Sequence, residues 1–135
     1  MLNTYILVCD DEPAVREVIS VVLSMAGYDV ETATNGVEAL KMIRGKPEHY
    51  SLLLTDHAME PLNGLDLVRE LRNGGFSGKI IVLSGRLDHT DISAYTGLAV
   101  DGIMLKPFNF TELRKTISSV LSLHPHHETV SNVEF

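Results

Sequence analysis

Cysteine is nearly absent: Cys9 stands alone among 135 residues, so no internal disulfide can form. A lone thiol fits a reducing compartment. The N-terminal Met1-Leu2-Asn3-Thr4 lacks a basic segment followed by a long apolar run, so no signal peptide is expected. No stretch approaches the roughly 18 apolar residues of a membrane span. A soluble, cytoplasmic protein with no membrane partner is the expectation. Basic residues are scarce as well, with 11 Lys and Arg against 18 Asp and Glu and a net charge of −7. Phosphate contacts need a basic face, so direct nucleic-acid binding is not expected.

What is present is enough for one ordinary domain. A chain of this size buries about two-thirds of its unfolded surface and folds without staples. Hydrophobic residues make up 44% and charged ones 21%, the balance of a globular chain.

Short apolar runs alternate with helical patterns. Tyr5 to Cys9 reads as a strand buried on both faces. Asp10, Asp11, Glu12 and Pro13 then signal a helix start. Val15, Ile19, Val22 and Leu23 carry its stripe to Gly27. Asp29 to Thr34 alternates in character and is expected at a sheet edge. Asn35 and Glu38 form a capping-box pattern, followed by a stripe of Val37, Leu40 and Ile43. Leu52 to Asp56 is a third strand, and a loop runs from His57 to Asn63. Leu67, Val68 and Leu71 mark a third helix ending before Gly74. Lys79 to Ser84 is a fourth strand, rich in β-branched residues. A weak fourth helix, Thr90 to Ala99, precedes a short strand, Gly102 to Leu105. Asn109 and Glu112 form another capping box, with Phe108 and Leu113 as a staple, ahead of Ile117, Val120 and Leu121. The single domain is expected over residues 1–123, with 124–135 an aperiodic, flexible tail. Five strands alternating with five helices predict an α/β fold, a parallel sheet covered on both faces. Its ligands are expected beyond the carboxyl ends of the strands.

The residues that end these strands carry the chemistry. The first strand ends in Asp10-Asp11, the third in Asp56, the fourth in Ser84 and the fifth in Lys106. All lie on one sheet edge. Three converging carboxylates repel one another, and a hard divalent cation such as Mg²⁺ relieves that conflict. Lys106 adds a point charge and Ser84 a short hydroxyl donor. These are parts for in-line phosphoryl transfer to an aspartate.

With that set in order, the chain resembles the response-regulator receiver family over about Tyr5 to Leu123. The Asp10-Asp11 pair, Asp56, Ser84, Lys106-Pro107-Phe108 and the Asp56 to Gly64 loop match its motifs. The resemblance implies a flavodoxin-like doubly wound sheet of five strands in the order 2-1-3-4-5. It implies phosphoryl acceptance on Asp56, and Mg²⁺ held by Asp11, Asp56 and the Ala58 carbonyl directly and by Asp10 through water. Ser84 is then the switch hydroxyl, and Lys106 pairs with Asp56 and then with the phosphoryl group. A cis Lys106-Pro107 bond also follows from it. The implied donor is a sensor histidine kinase or phosphotransfer protein. The implied output is a downstream effector docking on the fourth helix, fifth strand and fifth helix, with no enzymatic turnover beyond the domain's own phosphorylation and dephosphorylation.

Four positions depart from the pattern. Ile103 stands where the family often has a rotating aromatic. Glu60 separates Met59 from Pro61. Ala58 and Arg86 flank the site where they tune phosphoryl lifetime. Competing readings are a phosphorylation-independent adaptor, which Ile103 favours, and a Mg²⁺-dependent aspartyl-phosphate phosphatase, which Ala58 disfavours because a second aspartate is expected there. A flavin site lacks its phosphate-cradling loop. Cys9 reads as a small buried hydrophobe. His57 is expected to face solvent, His124, His126 and His127 to be solvated, and Gly64 and Gly85 to serve turns.

Overall fold

The computed structural model describes residues 4–122 and the segment Thr129–Ser131. In chain order the elements are β1 Tyr5–Cys9, α1 Pro13–Met25, β2 Asp29–Ala33, α2 Gly36–Gly45, β3 Leu52–Asp56, α3 Gly64–Asn73, β4 Lys79–Ser84, α4 His89–Gly97, β5 Gly102–Leu105, α5 Phe110–Ser122 and β6 Thr129–Ser131. The sheet is parallel throughout, in the order β2-β1-β3-β4-β5-β6. The expected order of the first five strands is the order found.

The period-2 geometry of the strands divides the core in two. Ile6, Val8, Leu52, Leu54, Ile81, Leu83 and Met104 face one side, where Ile19 and Leu23 of α1 and Leu113, Ile117 and Val120 of α5 cover them. Leu7, Cys9, Leu53, Ile80, Val82 and Ile103 face the other, beneath α2, α3 and Tyr95 of α4. Strands so buried on both faces must read as continuous apolar runs, and they do. β2 lacks such a run, with polar Asp29, Glu31 and Thr32, in keeping with its place at the edge.

Local signals set most boundaries. Pro13 opens α1, and Gly27, at φ +97°, follows its end in a conformation that suits glycine. Asn35, Asn63 and Asp88 each accept a backbone N–H at the starts of α2, α3 and α4. Asn109 likewise accepts the Glu112 N–H at 2.7 Å.

Several expectations need correction. Glu38 does not close a reciprocal box with Asn35: its carboxylate takes the Thr34 N–H at 3.1 Å and the Thr34 hydroxyl at 3.3 Å. Val37 is exposed, and Ala39 joins the expected Ile43 on the buried face of α2. The expected unpaired tail contains β6, which extends the sheet along the outer edge of β5, with Val130 in register with Ile103. Three residues carry too little pattern to announce a strand; the unpaired backbone edge of β5 supplies the partner. The rest of the tail, including His124, His126 and His127, lies outside the described residues. Gly85 lies in a bend, as expected, but Gly64 opens α3. Gly64 is required by close packing.

The chain leaves β1 for β2 on one side and enters β3 on the other, so β1 and β3 flank the topological switch point. Asp10 follows β1 and Asp56 ends β3.

Candidate functional site

Asp10 and Asp56 are buried at the switch point, and Asp11 beside them is exposed. One carboxylate oxygen from each of the three lies within 4.8 Å of the others. The Lys106 ammonium reaches between two of them, 3.5 Å from Asp10 Oδ2 and 3.4 Å from Asp56 Oδ1. The backbone fixes that lysine, because Lys106 N–H donates to the Ser84 carbonyl at 2.7 Å and ties the end of β5 to the end of β4. The Lys106-Pro107 bond is cis, as expected. Arg16 on α1 holds the Asp10 carbonyl at 2.7 Å, a positioning contact that no sequence pattern announced.

One ammonium cannot neutralise three carboxylates. Burial raises the Asp56 carboxyl above its ordinary value, and Lys106 opposes this. Asp10 adds to the rise, and the His57 N–H, donating to Asp56 Oδ1 at 2.9 Å, again opposes it. Asp10 Oδ1 accepts the Glu12 N–H at 2.9 Å, while buried Oδ2 has no hydrogen-bond partner. A buried oxygen in that condition is costly unless a cation meets it. The donor set is all oxygen, anionic and close together, which fits Mg²⁺. Ala58 borders the same cleft as Asp11, with Met59, Glu60 and Asn63. Met59 pins this loop to the core, its sulfur 3.5 Å from the Cys9 thiol, and Gly64 N–H closes the loop on the His57 carbonyl at 2.8 Å. Burial pushes that thiol up to about 12, the behaviour of an inert core cysteine.

Ser84 is buried, and its hydroxyl is turned toward its own loop. It donates to the Arg86 carbonyl at 3.0 Å and accepts the Arg86 N–H at 3.2 Å. The Arg86 side chain is exposed. Ile103 is fully buried. His57 overturns its solvent-facing expectation: its ring bonds the Tyr95 hydroxyl of α4 at 2.5 Å.

The family pattern of the response regulator receiver domain matches residues 6–118. The chain belongs to that family. It is thus a receiver domain of two-component signalling, a signalling module rather than a conventional enzyme. It is 36% identical over 131 residues to the transcriptional regulatory protein CpxR homolog of Haemophilus influenzae, covering 96% of this chain and 56% of that one. The CheY-like receiver domain protein of Methanospirillum hungatei superposes with a TM-score of 0.84 at 25% identity, over 89% of this chain and 94% of that one. The response regulator TrrA of Thermotoga maritima, in complex with Mg²⁺-BeF, does so with 0.76 at 35% identity, over 87% and 98%. The receiver chain spans about half the length of the curated relatives it matches. Among its described residues no helix is long and apolar enough to cross a membrane.

Proposed function

We propose that this receiver domain accepts a phosphoryl group on Asp56, with Mg²⁺ held by Asp10, Asp11, Asp56 and the Ala58 carbonyl, and signals by docking to a partner. The observation that carries this reading is the mismatch of charge at the switch point: three carboxylates within 4.8 Å, one lysine between two of them, and a buried Asp10 oxygen left without a hydrogen bond. When bound, Mg²⁺ supplies the positive charge that draws phosphoryl oxygens to the carboxylates. Asp56 is the nucleophile: its carboxylate oxygen bonds phosphorus as the phosphorus–nitrogen bond of the donor phosphohistidine breaks, leaving an acyl phosphate and a free histidine on the donor. Lys106 gives up its contact with Asp56 Oδ1 and takes a phosphoryl oxygen. Ser84 leaves the Arg86 carbonyl and donates to the same group. Arg86, exposed beside it, and Ala58, without a polar side chain, set how freely water attacks the acyl phosphate. The domain catalyses its own phosphorylation and dephosphorylation and turns over no other substrate.

The donor is a phosphohistidine on a sensor kinase or a phosphotransfer protein. An apolar groove bordering Lys106, lined by Val15, Val18, Phe108 and Phe110, supports a protein donor docking there. Val18 and Phe110 are 46% and 39% exposed, more than their chemistry favours unless a partner covers them. The effector surface is α4, β5 and α5, where an arriving protein also meets β6 along the β5 edge. The acid surplus speaks against nucleic-acid binding by this domain, and a histidine-kinase donor implies a cytoplasmic place. The longer relatives named as transcriptional regulators pair such domains with further sequence.

Incubation with Mg²⁺ and acetyl phosphate, read by intact mass, tests the reading. One added phosphoryl group that needs Mg²⁺ and is lost in Asp56→Asn supports it. An unmodified protein that also fails to bind beryllofluoride contradicts it.

A further inference from the structure

Of all the helices, α4 is the most weakly bound to the body. Tyr95 is the only buried residue among its nine, and that residue is fully buried. Beyond it only half-buried Ile92 of this helix packs against the core, so what Tyr95 touches weighs heavily on where α4 sits. The Tyr95 hydroxyl touches His57, the residue that follows the phosphoacceptor. Its oxygen lies 2.5 Å from Nδ1, and Asp91 Oδ2, one turn earlier on α4, lies 3.9 Å from Nε2. Positions four apart share a helix face, so Tyr95 bonds one imidazole nitrogen while Asp91, whose Oδ2 also takes the Asp88 N–H at 3.4 Å, faces the other at longer range. We assign the tautomer with hydrogen on Nε2, which lets the Tyr95 O–H donate to Nδ1 and turns the ring N–H toward Asp91.

The fit is close enough to dictate a neighbour. A Cβ added at Gly64 would lie 2.8 Å from the Tyr95 hydroxyl, 2.5 Å from the Asp56 carbonyl and 2.9 Å from the His57 Cα. The phenol oxygen of α4 and the backbone that carries Asp56 therefore border the same small space beside Gly64, which has no room for a side chain. That backbone responds to the carboxylate, because the His57 N–H donates to Asp56 Oδ1 at 2.9 Å and contacts the Leu83 carbonyl at 3.2 Å. A second tie runs from Ser84 to Arg86, in the loop leading to the α4 cap at Asp88. Ile103, fully buried and aliphatic, offers no comparable polar route.

We propose that His57, Tyr95 and Asp91 form a latch that holds α4 in its resting position, and that loading Asp56 with a phosphoryl group releases it. The proposal rests on Asp56 being the phosphoacceptor. Converting Asp56 Oδ1 from a carboxylate oxygen to an acyl phosphate oxygen removes the acceptor that fixes His57, while Ser84 turns away from Arg86. Both ties of α4 to the site then loosen together. Tyr95 and Asp91 are positioning residues here, acting through His57.

Beryllofluoride with Mg²⁺ is the probe, titrated into ¹⁵N-labelled wild type, Tyr95→Phe, His57→Leu and the double variant. Tyr95→Phe keeps the ring and its packing and deletes only the hydroxyl. Because it weakens the resting state, it should bind beryllofluoride about fivefold more tightly than wild type. Its free-state amide signals over 89–97 should lie part-way toward the bound positions. In the His57→Leu background the Tyr95→Phe gain should vanish, since the two residues make one interaction. Wild-type affinity in Tyr95→Phe, or weaker, with α4 signals unmoved in the free protein, would overturn the latch and leave the bond as mere satisfaction of a buried hydroxyl. Wild type failing to bind the probe at all would defeat the Asp56 reading, and the latch with it.

Discussion

At the amino ends of the strands, the buried Asp101 is met by a surplus of donors. The Ile80 N–H lies at 2.8 Å, the Arg72 guanidinium at 3.4 Å and the Lys79 ammonium at 3.8 Å. Arg72 also donates to the carbonyls of Phe76, Gly78, Leu98 and Ala99 at 2.9 to 3.0 Å. At the carboxyl ends of the same strands the charge ratio is reversed: among the described residues Lys106 is the one cation paired with Asp10 and Asp56, Glu12 and His57 lend them one backbone N–H each, and Asp11 stands alongside. Burial raises the carboxyl of both Asp101 and Asp56, but only Asp56 has another acid pushing the same way. One edge is a finished clamp that joins α3, β4 and the approach to β5. The other is a site short of positive charge, which is a defect in a clamp and a requirement in a place that must take up a cation and a phosphoryl group.

The sharpest way to break the comparison is to exchange the consequences. Asp56→Asn should abolish acetyl-phosphate labelling completely, whereas Arg72→Met should leave it intact, as read by intact mass. Arg72→Met should instead lower unfolding free energy by about 3 kcal/mol in urea, because it strands four carbonyls and weakens the pairing of a buried acid. Mg²⁺ at about 100 times its dissociation constant should stabilise wild type and Arg72→Met equally, by about 2.7 kcal/mol, and Asp10→Asn far less. A thermal-shift series over metal concentration checks this.

The smallest effect concerns pH. The raised Asp56 carboxyl means the fold binds its proton more tightly than the unfolded chain does. The stability this lends is full below the unfolded value, and it is lost as pH rises through the folded one. Metal-free Asp56→Asn should therefore melt above wild type at pH 7. The gap should narrow as pH falls toward the acid range, and calorimetry of the pair at several pH values measures it.

The alternation of apolar runs and helical stripes made the doubly wound sheet legible, because strands buried on both faces leave no polar alternation to confuse them. The site was legible for a related reason: Asp10, Asp11, Asp56, Ser84 and Lys106 each stand where such a run ends, and a parallel sheet gathers those ends on one edge. What escaped was contact made by side chains reaching across elements. Nothing in the spacing of Tyr95 says that its hydroxyl finds His57, or that Arg16 holds the Asp10 carbonyl. Val37 matched a helical stripe, yet the face of α2 turned to Ala39 and Ile43 because α3 and the sheet lie there. β6 was too short to carry a period, and only the open edge of β5 explains it.

The central claim is chemical, and one measurement addresses its location. The domain is treated with acetyl phosphate and Mg²⁺, reduced with borohydride, which converts an acyl phosphate of aspartate to homoserine, and mapped by peptide mass. The account predicts conversion at Asp56 alone, dependent on Mg²⁺. Conversion at Asp10 or Asp11, or none in protein that binds Mg²⁺, would contradict it.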